Sequence, residues 1–265
     1  MKIVKQLIIG LFILPSLCWA GSAKTEESQF DAKTVAAFAK QTEKYVAAQG
    51  ARVFIIGRVG RPESELPKGI KFTHTAIAVY SDINLDDGTK AKGYAIHNLY
   101  QQAGAADKSQ IIIDYPTDFF WGVHSLKAGI IIPTPDVQMR LLKAIGDGQT
   151  TKLHNPNYSV IANPFTNEFQ NCTEHTLDMI NAAIYGSTDI KQLKANAKAY
   201  FKPQRIEISP LKLMLGNLFI DDVTTKDHGR KIYTTTFSSI SRYLADNNLS
   251  QQAVILDAEG NIKTL

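Results

Sequence analysis

Cysteine is almost missing from this chain: its 265 residues carry two, Cys18 and Cys172. That excludes a small scaffold stapled by disulfides. Runs of like charge are missing as well. Lys and Arg number 29 against 25 Asp and Glu, a net charge of +4 with no basic cluster. Composition therefore gives nucleic-acid binding no support. After residue 20 no apolar stretch approaches the ~20 residues that cross a bilayer. There is no G-x-S-x-G for a serine hydrolase, no H-E-x-x-H or paired C-x-x-C for zinc, and no G-x-G-x-x-G or P-loop for a nucleotide. No cofactor is called for by motif. What is present, 44% hydrophobic and 20% charged residues, suffices for a real core.

Residues 1–20 read as a secretory signal peptide. Lys2 and Lys5 precede an apolar stretch from Leu7 to Leu17, and Cys18-Trp19-Ala20 ends in a small residue. Leu17 stands where a lipoprotein signal wants a small residue, so Cys18 is not expected to carry lipid. Cleavage removes Lys2 and Lys5 and no acid, taking +4 to +2. The expected compartment is periplasmic or secreted. There Cys172 is left as a single thiol without an internal partner.

Residues 21–265 read as one domain, with an extension from about 202. Asp31 is expected to cap a helix reaching about Ala48. Strands are expected near 52–59, 72–80, 93–100, 110–114 and 128–132. Helices are expected from Pro135 to about Gly146, from Asn171 to Tyr185 with Gly186 as the stop, over 189–201, and from Ser209-Pro210. A C-terminal hairpin closes the chain around Ala258-Glu259-Gly260. Short strands mixed with unequal helices give an α+β class on a mainly antiparallel sheet.

Cys172 is the first candidate for chemistry. At the start of a helix it meets free backbone N–H groups and the positive end of the helix dipole. Both favour thiolate. The same residue read alone is equally a small buried hydrophobe. A thiolate needs a base, and six histidines are available. A hairpin centred between residues 85 and 86 would place His74 and His97 opposite each other, as base and orienter. A one-residue slip would separate their faces. His175, three residues after Cys172, reads as a structural residue against the sheet edge. His124 follows an aromatic cluster that reads as core. His154 and His228 read as solvent-exposed. Cys172, His175, His74 and His97 are also the right types for tetrahedral zinc, but C-x-x-H alone is a weak signal.

The order of these motifs resembles the circularly permuted branch of the papain-like superfamily, with its NlpC/P60 hydrolases and lecithin:retinol acyltransferase-like proteins. The resemblance rests on His74-Thr75-Ala76-Ile77, His97-Asn98-Leu99 and Asn171-Cys172-Thr173-Glu174-His175. Thr173 is an insertion relative to the acyltransferase-like block, so no role passes to Glu174 or His175. The chain also resembles an uncharacterised family of secreted bacterial proteins over Phe72–Tyr80, Tyr94–Gln101 and Phe169–Tyr185. The superfamily resemblance implies a papain-like core. It makes Cys172 the nucleophile, His74 the base and His97 the third residue, acting on a cell-wall peptide amide or on an acyl lipid. A non-catalytic binding module of the same fold stays open.

Overall fold

The computed structural model describes residues 28–84, 87–207 and 223–265. The expected signal peptide and the expected helix start at Ser209-Pro210 lie outside them. Four helices open as their caps dictate. Asp31 accepts the Thr34 amide ahead of α1 (Ala32–Ala48). Pro135 starts α3 (Pro135–Gly146), Asn171 caps α5 (Cys172–Tyr185), and Asp189 caps α6 (Ile190–Tyr200). Gly186, at φ 63°, ends α5 in the left-handed conformation. Two single-turn helices complete this set, α2 (Pro116–Phe119) and α4 (Gln149–Lys152).

Seven strands form one sheet: β1 (Val53–Val59), β2 (His74–Asn84), β3 (Lys90–Gln102), β4 (Ala105–Asp114), β5 (Ser125–Pro133), β8 (Ser250–Asp257) and β9 (Ile262–Thr264). Their order is β4-β3-β2-β1-β5-β8-β9, with every neighbouring pair antiparallel. β6 (Gln204–Ile206) and β7 (Ile232–Thr234) make a separate small ladder. The expected C-terminal hairpin is β8-β9, and it extends the main sheet beyond β5.

Helices cover both faces of the sheet. Val53, Ile55, Ile77, Val79 and Ile131 pack with α3, α5, α6 and a further helix, α7 (Phe237–Asp246). Phe54, Ile56, Ala76, Ala78, Ile96 and Ile130 pack with α1 and α2. Burial on both faces is why Val53-Phe54-Ile55-Ile56 is a continuous apolar run rather than an alternating one. Gly57 and Gly129 are cross-strand partners, and the Phe237 ring seats on them. A Cβ at Gly129 would lie 2.7 Å from that ring.

α7 was not anticipated. Its apolar positions Phe237, Ile240, Tyr243 and Leu244 are set among serines, and its capping box uses Ser239 where a Glu or Gln is usual. The β2–β3 hairpin also departs from expectation. Ile77 opposes His97 and Asn84 opposes Lys90, so the turn is centred on Asp87, whose Oδ1 accepts the Thr89 amide. The register is therefore offset by three residues from the one that would pair His74 with His97. Three is odd, so the two histidines lie on opposite faces of the sheet.

Candidate active site

The β2–β3 ladder ends at Ile77↔His97. Beyond that point β2 stays paired to β1 as far as His74, opposite Arg58. β3 stays paired to β4 as far as Gln102. The two strands part into a fork, and the N-terminus of α5 meets the fork.

His74 begins β2 and is 2% exposed. Its ring stacks on Tyr100 at 4.7 Å and lies against Phe119 at 5.7 Å. Its Nε2 sits 2.9 Å from Oδ1 of Asn98. The Asn98 amide nitrogen donates to the Ile96 carbonyl, which turns Oδ1 toward the imidazole. That network assigns the proton to Nε2. Nδ1 is left with its lone pair free, buried and without a hydrogen-bond partner. Burial first, and then the Arg58 charge, lower the His74 pKa to about 3, against the pull of Asn98. The imidazole is neutral at neutral pH.

Asn171 holds the start of α5. Its Oδ1 accepts the Glu174 amide at 2.9 Å, and its Nδ2 donates to the Val160 carbonyl. Thr173 adds a hydroxyl bond to the Thr235 carbonyl. These contacts fix Cys172 at the helix tip, buried and unpaired. The backbone amides of Thr75 and Thr173 point at its sulfur, and the Arg58 guanidinium is near enough to act on it. All three favour thiolate. Burial outweighs them, so the Cys172 pKa is raised rather than depressed. This corrects the expectation that helix-start placement alone would lower it.

Arg58 completes the fork. It is 8% exposed, and one guanidinium nitrogen donates to the Phe119 carbonyl at 2.6 Å. Its charge lies 5.5 Å from the Tyr100 ring centre and 5.2 Å from that of Phe119. The Tyr100 hydroxyl donates to Asp114 at 2.6 Å. Phe119, from the aromatic cluster read as plain core, is thus both core and a wall of the site.

His97 is not in the fork. It opposes Ile77 on one side and Ile113 on the other, half-buried on the α5 face. There it lies near His175, whose pKa burial lowers to about 4. His175 bonds the Thr150 carbonyl of α4 at 2.9 Å, a tie between helices rather than to the sheet edge. His154 is half-buried and pairs with the Ser109 hydroxyl at 2.9 Å. The His228 side chain is buried and contacts the Ile161 carbonyl at 2.7 Å. Neither of these two is the exposed residue its polar surroundings suggest. Among the described residues no three His, Cys, Asp or Glu side chains converge as a metal-ligand set. Of the four residues weighed for zinc, His74 and His97 lie on opposite faces of the sheet.

Asn98 was missed by one residue. The usable signals were the turn chemistry at Asp87 and Gly88, which centres the hairpin, and the buried even-numbered face Ile96, Asn98, Tyr100. Arg58 carried no signal, because one arginine in a strand is unremarkable until its partner is known.

The profile of a bacterial family described as "Uncharacterized protein conserved in bacteria (DUF2145)" matches residues 45–244. The chain belongs to that family. The matched span contains Arg58, His74, Asn98 and Cys172, so the whole fork lies inside the DUF2145 region. No curated protein and no solved structure matches the chain.

Proposed function

We propose that this DUF2145 protein is a periplasmic or secreted cysteine hydrolase or acyl-transfer enzyme with a papain-like, circularly permuted core. The observation that carries the reading is the fixed His74 tautomer. Asn98 occupies Nε2, the unpartnered Nδ1 is buried, and the Cys172 sulfur accepts from the amide of Thr75, the residue next to His74. Asn98 replaces His97 as the orienting third residue. Both partners rest neutral. Proton transfer from the Cys172 sulfur to Nδ1 therefore accompanies attack on the substrate carbonyl, rather than preceding it as a resting ion pair. The sulfur–carbon bond forms as the carbonyl π electrons move to oxygen. The Cys172 and Thr75 amides are the donors for that oxyanion. His74 then protonates the leaving amine or alcohol, and water or an acceptor resolves the thioester. Compartment and superfamily resemblance favour a cell-wall peptide amide as substrate, ahead of an acyl lipid.

The raised thiol pKa and the closed surroundings favour one second reading, a non-catalytic binding module with an inert cysteine. The two separate on incubation with an activated acyl ester such as p-nitrophenyl acetate, followed by intact-mass analysis. The enzyme reading expects one acyl group on Cys172, lost in Cys172→Ser and slowed about 100-fold or more in His74→Ala, the usual size of a general-base contribution. Absence of acylation in the wild type favours the module.

A further inference from the structure

Arg58 is an unusual buried charge. It is more than nine-tenths buried, and among the described residues no carboxylate lies within 4.0 Å of it. Its partners are one carbonyl and two aromatic faces. No group in ion-pair contact with it supplies a negative charge. Burial keeps the Cys172 thiol and the Tyr100 phenol protonated, and His74 is neutral. The Asp114 carboxylate is engaged by the Tyr100 hydroxyl, and the guanidinium sits over the Tyr100 ring. A desolvated guanidinium with no counter-ion in contact is preorganised for an incoming anion, and its planar donors suit a carboxylate. The buried, unpartnered Nδ1 of His74 is a second polar group of the same fork awaiting a partner.

We propose that the fork is a carboxylate-binding pocket, in which Arg58 recognises a free carboxylate placed close to the carbonyl that Cys172 attacks. This rests on the cysteine-nucleophile reading above and narrows its substrates. It selects a peptide whose terminal carboxylate adjoins the bond cleaved, over a neutral acyl lipid. Arg58 is then a specificity-determining residue.

The direct test uses the full secreted chain and two alkylating reagents of nearly equal size, iodoacetate (anionic) and iodoacetamide (neutral). Each forms the same sulfur–carbon bond at Cys172 as iodide leaves. The ratio of their rates, normalised to a small free thiol, cancels the intrinsic reactivity of the cysteine. The wild type is expected to favour iodoacetate about tenfold or more, a step of roughly one charge-assisted hydrogen bond. Arg58→Gln is expected to bring the ratio to that of the free thiol, with Arg58→Lys between. An equal fall with both reagents in Arg58→Gln would make Arg58 a counter-charge for thiolate only, and overturns the proposal. A wild-type measurement needs no folded variant: N-acetylglycine should raise the melting temperature and N-acetylglycinamide should not. Equal effects of the two overturn the pocket even where the thiol reacts. A thiol inert to both reagents, with stabilisation by N-acetylglycine that Arg58→Gln abolishes, defeats the nucleophile reading and leaves the pocket standing.

Discussion

Two clusters of buried charge meet on α5, and they are built in opposite ways. One turn into the helix, Lys194 from α6 reaches Glu174 at 2.5 Å and Asp178 at 2.8 Å, and Gln170 also bonds Asp178. Burial alone would lower the Lys194 pKa, but Asp178 and Glu174 outweigh it and keep the ammonium charged. Burial pushes the Glu174 carboxyl well up. At the helix tip, Arg58 has no carboxylate, His74 has a free nitrogen and Cys172 has amides aimed at a neutral sulfur. The first cluster pairs its charges within the fold, with Glu174 Oε2 as the one buried oxygen of the pair left without a hydrogen-bond partner. The second has hydrogen bonds from the fold but no ion pair for Arg58 and no partner for His74 Nδ1, which is what the proposed substrate site requires.

Removing each cation in turn is expected to separate the two clusters most. Lys194→Met strands two buried carboxyl groups and is expected to cost about 3–5 kcal/mol in urea denaturation. Arg58→Met relieves a buried charge that has no ion-pair partner but loses its hydrogen bond to the Phe119 carbonyl, and is expected to change stability by about 1 kcal/mol or less. Equal losses in the two variants would mean that Arg58 is as structural as Lys194.

Acid is expected to act through the buried histidines. The pKa of His74 is lowered to about 3 and that of His175 to about 4, from an ordinary 6.5. Between those values the unfolded chain binds protons that the folded one refuses. The stability from these groups is complete above about pH 6.5 and declines as pH falls toward 4 and then 3. Each histidine contributes a slope of about 1.4 kcal/mol per pH unit inside its window. In His74→Gln the slope near pH 5 is expected to fall by one proton's worth in urea titrations. An unchanged slope would mean that His74 is not buried neutral.

Packing gives a further, smaller effect. Gly129→Ala places a methyl against the Phe237 ring and is expected to destabilise by about 1–3 kcal/mol, read as a lower urea midpoint. The fork should remain intact, since Phe237 packs on β1 and β5 rather than on His74.

Much of the frame was legible in the sequence, because it rests on local rules. The Asn171 cap and Gly186 stop bound α5, Pro135 opens α3, and the apolar run at Val53–Ile56 marks the sheet's centre. Cys172 and His74 were legible as candidates for chemistry. The third member was not, since it depends on register, and a turn centred on Asp87 moves every cross-strand partner. Arg58 was invisible for a different reason: its significance is an absent partner, which only three dimensions reveal. α7 escaped because serines dilute its apolar period.

In the proposed site Asn98, not His97, holds His74 as the base for Cys172. The measurement that tests it most directly is the rate of Cys172 alkylation by iodoacetamide at pH 7 in the wild type, His74→Ala, Asn98→Ala and His97→Ala. A fall of about tenfold or more is expected in His74→Ala and Asn98→Ala, of the order of one lost hydrogen bond or general-base contribution, with no change in His97→Ala. A fall in His97→Ala with Asn98→Ala unaffected would contradict it.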